Sequence, residues 1–579
     1  MLEQMQAAGL RDLRLTELSA DGETAYLDFI MPQAWDATDA ELAIIESDGS
    51  ATPLLDYRKM PLSLANRCAP TPQGGLIAEV ITATQLHQAN DATGKLVYTE
   101  GGHPSSLRAE AAAKGAIGLI SDRLPAKDIA PDETYWINGW CGPGWYQSKQ
   151  DPSLTCFSIS PTMGKRLSER LAQGAVRVQA RADTRLYDGA IYTVEGLIPG
   201  QSEREIVLLA HIYEPFPGDD AIGAAALIEI ARTLTALIAR GELPTPRLGI
   251  RFLIGMERYG FAEYWQRKEA RQRAVLGISM DAIGLSPAMT KDAIEVRFSP
   301  ASMPFWGDLL LWEMARKILA GYPLASAAGN LSDDTFFSDS TIGVPSQWVW
   351  TRVGHTHHSS LWFYEEANDW PLGAAIARLI AGYVADMATA GAKDVKRYCD
   401  VVHRGVAEDI QEAKVRWAEK VRAGQMSTAQ AQRQARFLLE WEQGRIRSLG
   451  TMFPQSDVAQ LEEQLITLGK AAFSDLADSV AASTDEPLSP TAEKAKEMIL
   501  HRRSLGMPFS QARIPLAERM AGDYEQALNW ADSNRSLYEI AVQTQCETGQ
   551  IIDDAWLARF MDYCQLMARY GYLAITEAD

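Results

Sequence analysis

Residues 204–241 read REIVLLAHIYEPFPGDDAIGAAALIEIARTLTALIARG, and their reading decides the fold. The run IVLLA is apolar at every position, the mark of a strand buried on both faces. It delivers His211, a Pro-containing loop follows, and Asp219 and Asp220 stand just before an Ala- and Leu-rich segment with helical spacing. Gly241 closes that helix. Two more apolar runs, LGIRFLIGM (248–256) and VLGISMDAIG (275–284), continue the strand–helix alternation. The pattern predicts an α/β fold: a doubly wound, mostly parallel sheet with helices on both faces. Sites in such sheets form at the carboxyl ends of the strands.

Those ends carry the polar signals. After His211 and Asp219, the MERYGF stretch (256–261) ends a strand in Glu257, and MDAIG (280–284) ends another in Asp281. Further on, VGHTHHSSLW (353–362) places His355, His357 and His358 within four positions, three of the eight histidines in the chain. A carboxylate directly after a fully apolar strand is costly unless paired or bound to metal. One such Asp often just caps the next helix. Three of them, with a strand-end histidine and a histidine cluster, point instead to a shared centre. His, Asp and Glu without Cys form the donor set of a catalytic zinc site.

The rest of the chain narrows the function classes. At 579 residues it exceeds a single core, and two to four domains are expected. A formal charge of −20 argues against nucleic acid or an anionic membrane as partner. No apolar run is expected to reach the roughly 18–20 residues that span a bilayer. The first residues lack a signal-peptide layout. The six cysteines (Cys68, Cys141, Cys156, Cys399, Cys546 and Cys564) show no CxxC spacing and read as reduced thiols of a cytoplasmic protein. Residues 1–60, with the strand-like TAYLDFIMPQAWDATDAELAII (24–45), are expected to begin the catalytic domain. Residues 61–185, with GKLVYTEG (94–101) and LRAEAAAKGAIGLISD (107–122), read as an inserted α+β domain. The catalytic domain resumes at 186–388, a helical region covers 389–515, and 516–579 read as three short helices and a terminal strand, a winged-helix-like unit. That last unit is acidic, so packing or partner docking is expected of it rather than DNA binding.

Taken in order, these motifs resemble the zinc-dependent aminopeptidases of the glutamate carboxypeptidase-like clan, of the aminopeptidase Y and S type. The resemblance covers about 200 residues and runs through His211, DDAIG, MERYG, MDAIG, SDDTFF (332–337) and HHSSLW. The inserted segment resembles a protease-associated domain. The resemblance implies that His211 and Asp281 ligate one zinc, that Asp219 bridges to a second, and that His358 is the late ligand of the second. His355 and His357 are its rivals for that role. Glu257 is implied as the general base toward metal-activated water.

Two positions depart from the family pattern. A second Glu usually follows the base and ligates the second zinc; here Arg258 stands there, and a guanidinium cannot ligate a metal. Trp362 replaces a common Asp. The expected cofactor is therefore zinc, one or two ions per chain. Arg258, suited to a substrate carboxylate, joins Asp220, His355, His357 and Asp333 as candidates for binding substrate or supporting the ligands. The expected activity is aminopeptidase action on short peptides or amino-acid amides. Two alternatives fit the same residues: a single-metal amidohydrolase on a non-peptide amide, and a non-catalytic peptidase-fold scaffold. The helical C-terminal region is the candidate surface for homo-oligomer contacts.

Overall fold

The structure, a computed structural model, describes residues 1–141, 144–454, 456–478, 488–522 and 524–577. The main sheet has eight strands in the spatial order Arg11–Ala20, Gly189–Ile198, Gly249–Met256, Glu205–Ile212, Ala274–Ser279, Ser346–Thr351, Ile294–Phe298 and Leu324–Ala328. The four central strands, from Gly249–Met256 to Ser346–Thr351, run parallel. Both flanks join them antiparallel. The sheet is thus mixed, where the apolar runs had suggested a mostly parallel one. An apolar run reports burial on both faces and says nothing of its neighbour's direction.

Alternate residues of the Glu205–Ile212 strand feed two cores. Ile206, Leu208 and Ala210 pack against helices Ala221–Ala239 and Trp370–Thr389 on one face. Val207 and Leu209 pack with Tyr259, Phe261 and Phe337 on the other. By length and composition those two helices are apolar enough to cross a bilayer. Here they lie against the sheet, and Leu227, Ala231, Ile376 and Ile380 are wholly buried in its core.

A second sheet has seven strands in the order Ala51–Asp56, Ala34–Ile45, Val176–Tyr187, Leu76–Thr82, Leu96–Tyr98, Gly118–Ser121 and Thr155–Ser158. Residues 34–56, expected with the start of the catalytic domain, pair into this sheet instead, Ala34–Ile45 running antiparallel to Val176–Tyr187. Alternation identifies a half-buried strand but not its partner. After Val395 the chain forms long helices, Val395–Arg422, Thr428–Met452 and Val458–Asp478. The terminal strand Leu573–Glu577 pairs with Met498–Arg502, so the unit expected from 516 draws in a strand from further upstream. Helices Leu537–Thr548 and Asp554–Arg569 pack beside that pair.

Candidate metal centre

The carboxyl ends of the central strands open into a cleft of about 620 Å³. His211, Asp219, Glu257, Asp281 and His358 all line it, together with His357. The turns that leave the strands are unusual: Tyr213, Arg258, Ala282 and His358 all have positive φ. Such backbone is sparse for residues with a Cβ and collects at functional sites.

His211 ends a fully buried strand and is 1% exposed. Its backbone N–H donates to Asp220 Oδ2 at 3.1 Å. The other oxygen of Asp220 accepts from Gly223 N and caps the helix Ala221–Ala239. Asp220 therefore clamps strand end to helix start. His211 Nδ1 meets Asp333 Oδ2 at 3.1 Å. A carboxylate only accepts, so that pairing puts a proton on Nδ1 and leaves Nε2 as the nitrogen that faces the cleft. Nε2 is buried without a hydrogen-bond partner and lies 3.4 Å from Asp219 Oδ1. Donor atoms of His211, Asp219 and Asp281 all fall within 4.8 Å of one another.

Glu257 is presented by a γ-turn. Tyr259 N donates to Glu257 O at 2.6 Å across Arg258, whose φ is +55° and ψ −63°. Asp333 Oδ1 accepts the Arg258 N–H at 2.5 Å, so one carboxylate steadies both this turn and the His211 ring. Ser332 Oγ donates to Glu257 Oε1 at 2.8 Å. Asn138, from the loop before the Thr155–Ser158 strand, donates to Glu257 Oε2 at 3.4 Å and to Glu214 Oε1 at 3.2 Å.

On the far side, His358 Nε2 lies 3.4 Å from Glu214 Oε2 and 3.8 Å from Asp219 Oδ2. The His357 ring stacks on His358 with centroids 3.8 Å apart. His355 does not line the cleft. Arg258 faces away from it: the guanidinium sits over the Trp145 ring at 4.2 Å, donates to Leu331 O at 2.7 Å, and borders a separate cavity of about 340 Å³. The expectation that Arg258 meets substrate in the cleft is corrected by that geometry.

Sequence reading missed two residues, Glu214 and Asn138, and placed Ser332 in the SDDTFF motif without giving it a role. Glu214 was hidden in the loop YEPFPG, which reads as surface. Its position on the one loop that also carries Asp219 was the available signal.

The electrostatics ask for cations. Burial, then the neighbouring Asp219 carboxylate, pushes both Asp281 and Glu214 well above the usual carboxylate range. Asp219 moves the other way: burial opposes its ionisation, but His211 and His358 outweigh that and hold it low. Burial likewise opposes a charge on His211, yet Asp281, Asp219 and Asp333 together raise it well above an ordinary histidine. Burial depresses His358 below an ordinary histidine, against the pull of Asp219 and Glu257. Crowded carboxylates and two inward imidazoles, one with an unsatisfied nitrogen, fit divalent zinc.

Against this site stands an apolar wall. Trp348 and Trp350 stack at 4.4 Å. Their indole N–H groups are engaged by Asp281 O and Glu295 Oε1. The opposite wall is lent by His103, Arg123 and Tyr135 of the second sheet's connections.

No family model matches the chain, and no curated protein matches it. Among solved structures, a peptidase M28 precursor from Shewanella amazonensis SB2B aligns with a TM-score of 0.50 at 15% identity, covering 67% of this chain and 86% of that one. The fold is that of an M28 peptidase. The zinc aminopeptidase BSAP from Bacillus subtilis aligns at 0.47 and 17% identity, covering 67% and 88%. An aminopeptidase from Aneurinibacillus sp. strain AM-1 aligns at 0.43 and 14%, covering 67% and 87%.

Proposed function

We propose that the protein is a zinc-dependent hydrolase of amide bonds, acting as an aminopeptidase on short peptides or amino-acid amides. The observation that carries this reading is the buried, unpartnered His211 Nε2 among the Asp219 and Asp281 carboxylates. His211, Asp219, Asp281 and His358 would hold the metal. The chemistry zinc supplies when bound is Lewis-acid polarisation of an amide carbonyl and acidification of water.

The chain's own groups do the rest. Glu257, fixed by Ser332 and Asn138, accepts a proton from the attacking water and returns it to the leaving amine. Asp333 holds the His211 proton on Nδ1 and keeps the Glu257 turn in place. The remaining negative charge favours a substrate's free ammonium group. The tryptophan wall accommodates an apolar side chain and excludes water from the reacting bond.

In this reading the inserted sheet is a protease-associated domain that shapes access. The C-terminal unit is winged-helix-like and serves packing, with no nucleic-acid or membrane partner. The protein works in the cytoplasm, and the helical region supplies any contacts between copies. The test is a panel of aminoacyl amides and dipeptides beside their N-acetylated counterparts. Free-amine substrates are expected to be cleaved, with loss on chelation and recovery on adding zinc. Cleavage of the N-acetylated set alone contradicts the aminopeptidase reading.

A further inference from the structure

We propose that Glu214 is a ligand of a second metal ion, taking the place of the carboxylate that the chain lacks at Arg258, so that the site holds two zinc ions. This rests on the hydrolase reading above and extends it to the ion count.

Four observations converge. First, the residue at 258 is removed from the site altogether. Its guanidinium stacks on Trp145 and Phe509, at 4.2 and 5.2 Å, with Glu525 4.0 Å away. It neither ligates nor neutralises anything in the cleft. Second, a different carboxylate occupies the cleft's far side. The Glu214 side chain is 4% exposed, and its donor atom lies within 4.8 Å of those of Asp219 and His358. Third, Glu214 is held for the task. Asn138 Nδ2 engages Oε1 at 3.2 Å, while Oε2 is buried with no donor on it, 3.4 Å from His358 Nε2, and the Glu257 carboxylate stands in the same cluster. A buried carboxylate oxygen left this way is costly unless something absent from the protein satisfies it. Fourth, two of the donor sets share Asp219 (His211, Asp219 and Asp281; Glu214, Asp219 and His358), and a third, of His211, Glu214 and Glu257, also includes Glu214. Asp219 offers Oδ1 toward His211 and Oδ2 toward His358, one oxygen to each set. A carboxylate with its two oxygens turned to two donor sets is the arrangement that bridges a pair of cations.

The backbone explains how the loop does this. Tyr213, with φ of +87°, turns the chain immediately after the strand, and Pro215 restricts Glu214 to extended backbone. The Glu side chain is thereby directed back toward the strand ends instead of into solvent, as its 4% exposure records.

The experiment is zinc stoichiometry by elemental mass spectrometry on the full chain after saturation with zinc and removal of excess. It is paired with absorption spectra of the cobalt-substituted protein and circular dichroism as a fold control. Wild type is expected to bind two ions, Glu214→Gln one, and Glu214→His, which restores a donor, two. The cobalt spectrum should lose the component belonging to one ion in Glu214→Gln. Two ions retained by Glu214→Gln overturn the proposal, and a raised KM for free-amine substrates would then reassign Glu214 to the substrate ammonium. A single ion in both wild type and Glu214→Gln also overturns it, while leaving the hydrolase reading standing. No ion in folded wild type removes both.

Discussion

The two sides of the cleft are built differently. His211 lies at the end of one paired central strand and Asp281 follows another, and the neighbours of His211 are fixed by the sheet, the helix cap of Asp220 and the carboxylate of Asp333. Glu214 and His358 stand on loops, and what steadies them comes from the other sheet's connections. Asn138 engages Glu214, Trp136 N donates to His358 O at 2.7 Å, and Tyr135 bridges to Ser359. One side is a property of the main sheet alone. The other exists only because a second domain reaches across. Ligand geometry on rigid elements is held more tightly than on loops, so the two sides should respond unequally to substitution.

The largest effect is expected on the strand side. His211→Ala leaves Asp281 and Asp333 buried without their imidazole, and removing one partner of such a group costs about 3–5 kcal/mol. The variant should melt well below wild type and lose its zinc; an unchanged melting temperature with zinc retained breaks the comparison. Next comes Asp333→Asn, which keeps the shape but weakens the hold on the His211 ring and the Glu257 turn. Loss of such an outer partner typically lowers metal affinity about 10–100-fold, readable by competition with a zinc chelator of known affinity. The smallest effect belongs to the loop side. Ser360 Oγ accepts from Thr134 N at 2.9 Å, so Ser360→Ala removes one strut between the domains. The expected cost is about 1 kcal/mol, read as a several-fold loss of zinc from the weaker site with the tighter one unmoved. Equal loss from both sites would mean that the two sides are not independent.

The same contrast governs what was legible in the sequence. His211, Glu257 and Asp281, which the fold brings into one cleft, stood out in the sequence because an apolar run ending in an ionisable residue is costly and therefore informative. Asp219 was found because it precedes a helix on the same unit. Glu214 was not, since a Glu between Tyr213 and Pro215 looks like any solvated loop until the fold brings His358 against it. Asn138 carries no charge and no pattern, and Ser332, though it opens SDDTFF, gains its contact with Glu257 only through the tertiary fold. Arg258 was visible as a departure, but the γ-turn that swings it onto Trp145 is a backbone property no residue spacing encodes. At the level of the fold, the central strands of the main sheet were legible as strands. The direction of the flanking ones, and the recruitment of residues 34–56 into the second sheet, depend on pairing partners that lie far along the chain.

The most direct test of the central claim is the turnover of an unblocked dipeptide by the zinc-loaded protein, wild type against Glu257→Gln, with zinc content measured on the same samples. Equal zinc and a fall in kcat of about 10²–10⁴-fold are predicted, the range for loss of a positioned general base. Turnover unchanged by the substitution, or no turnover by fully loaded wild type, would contradict the account.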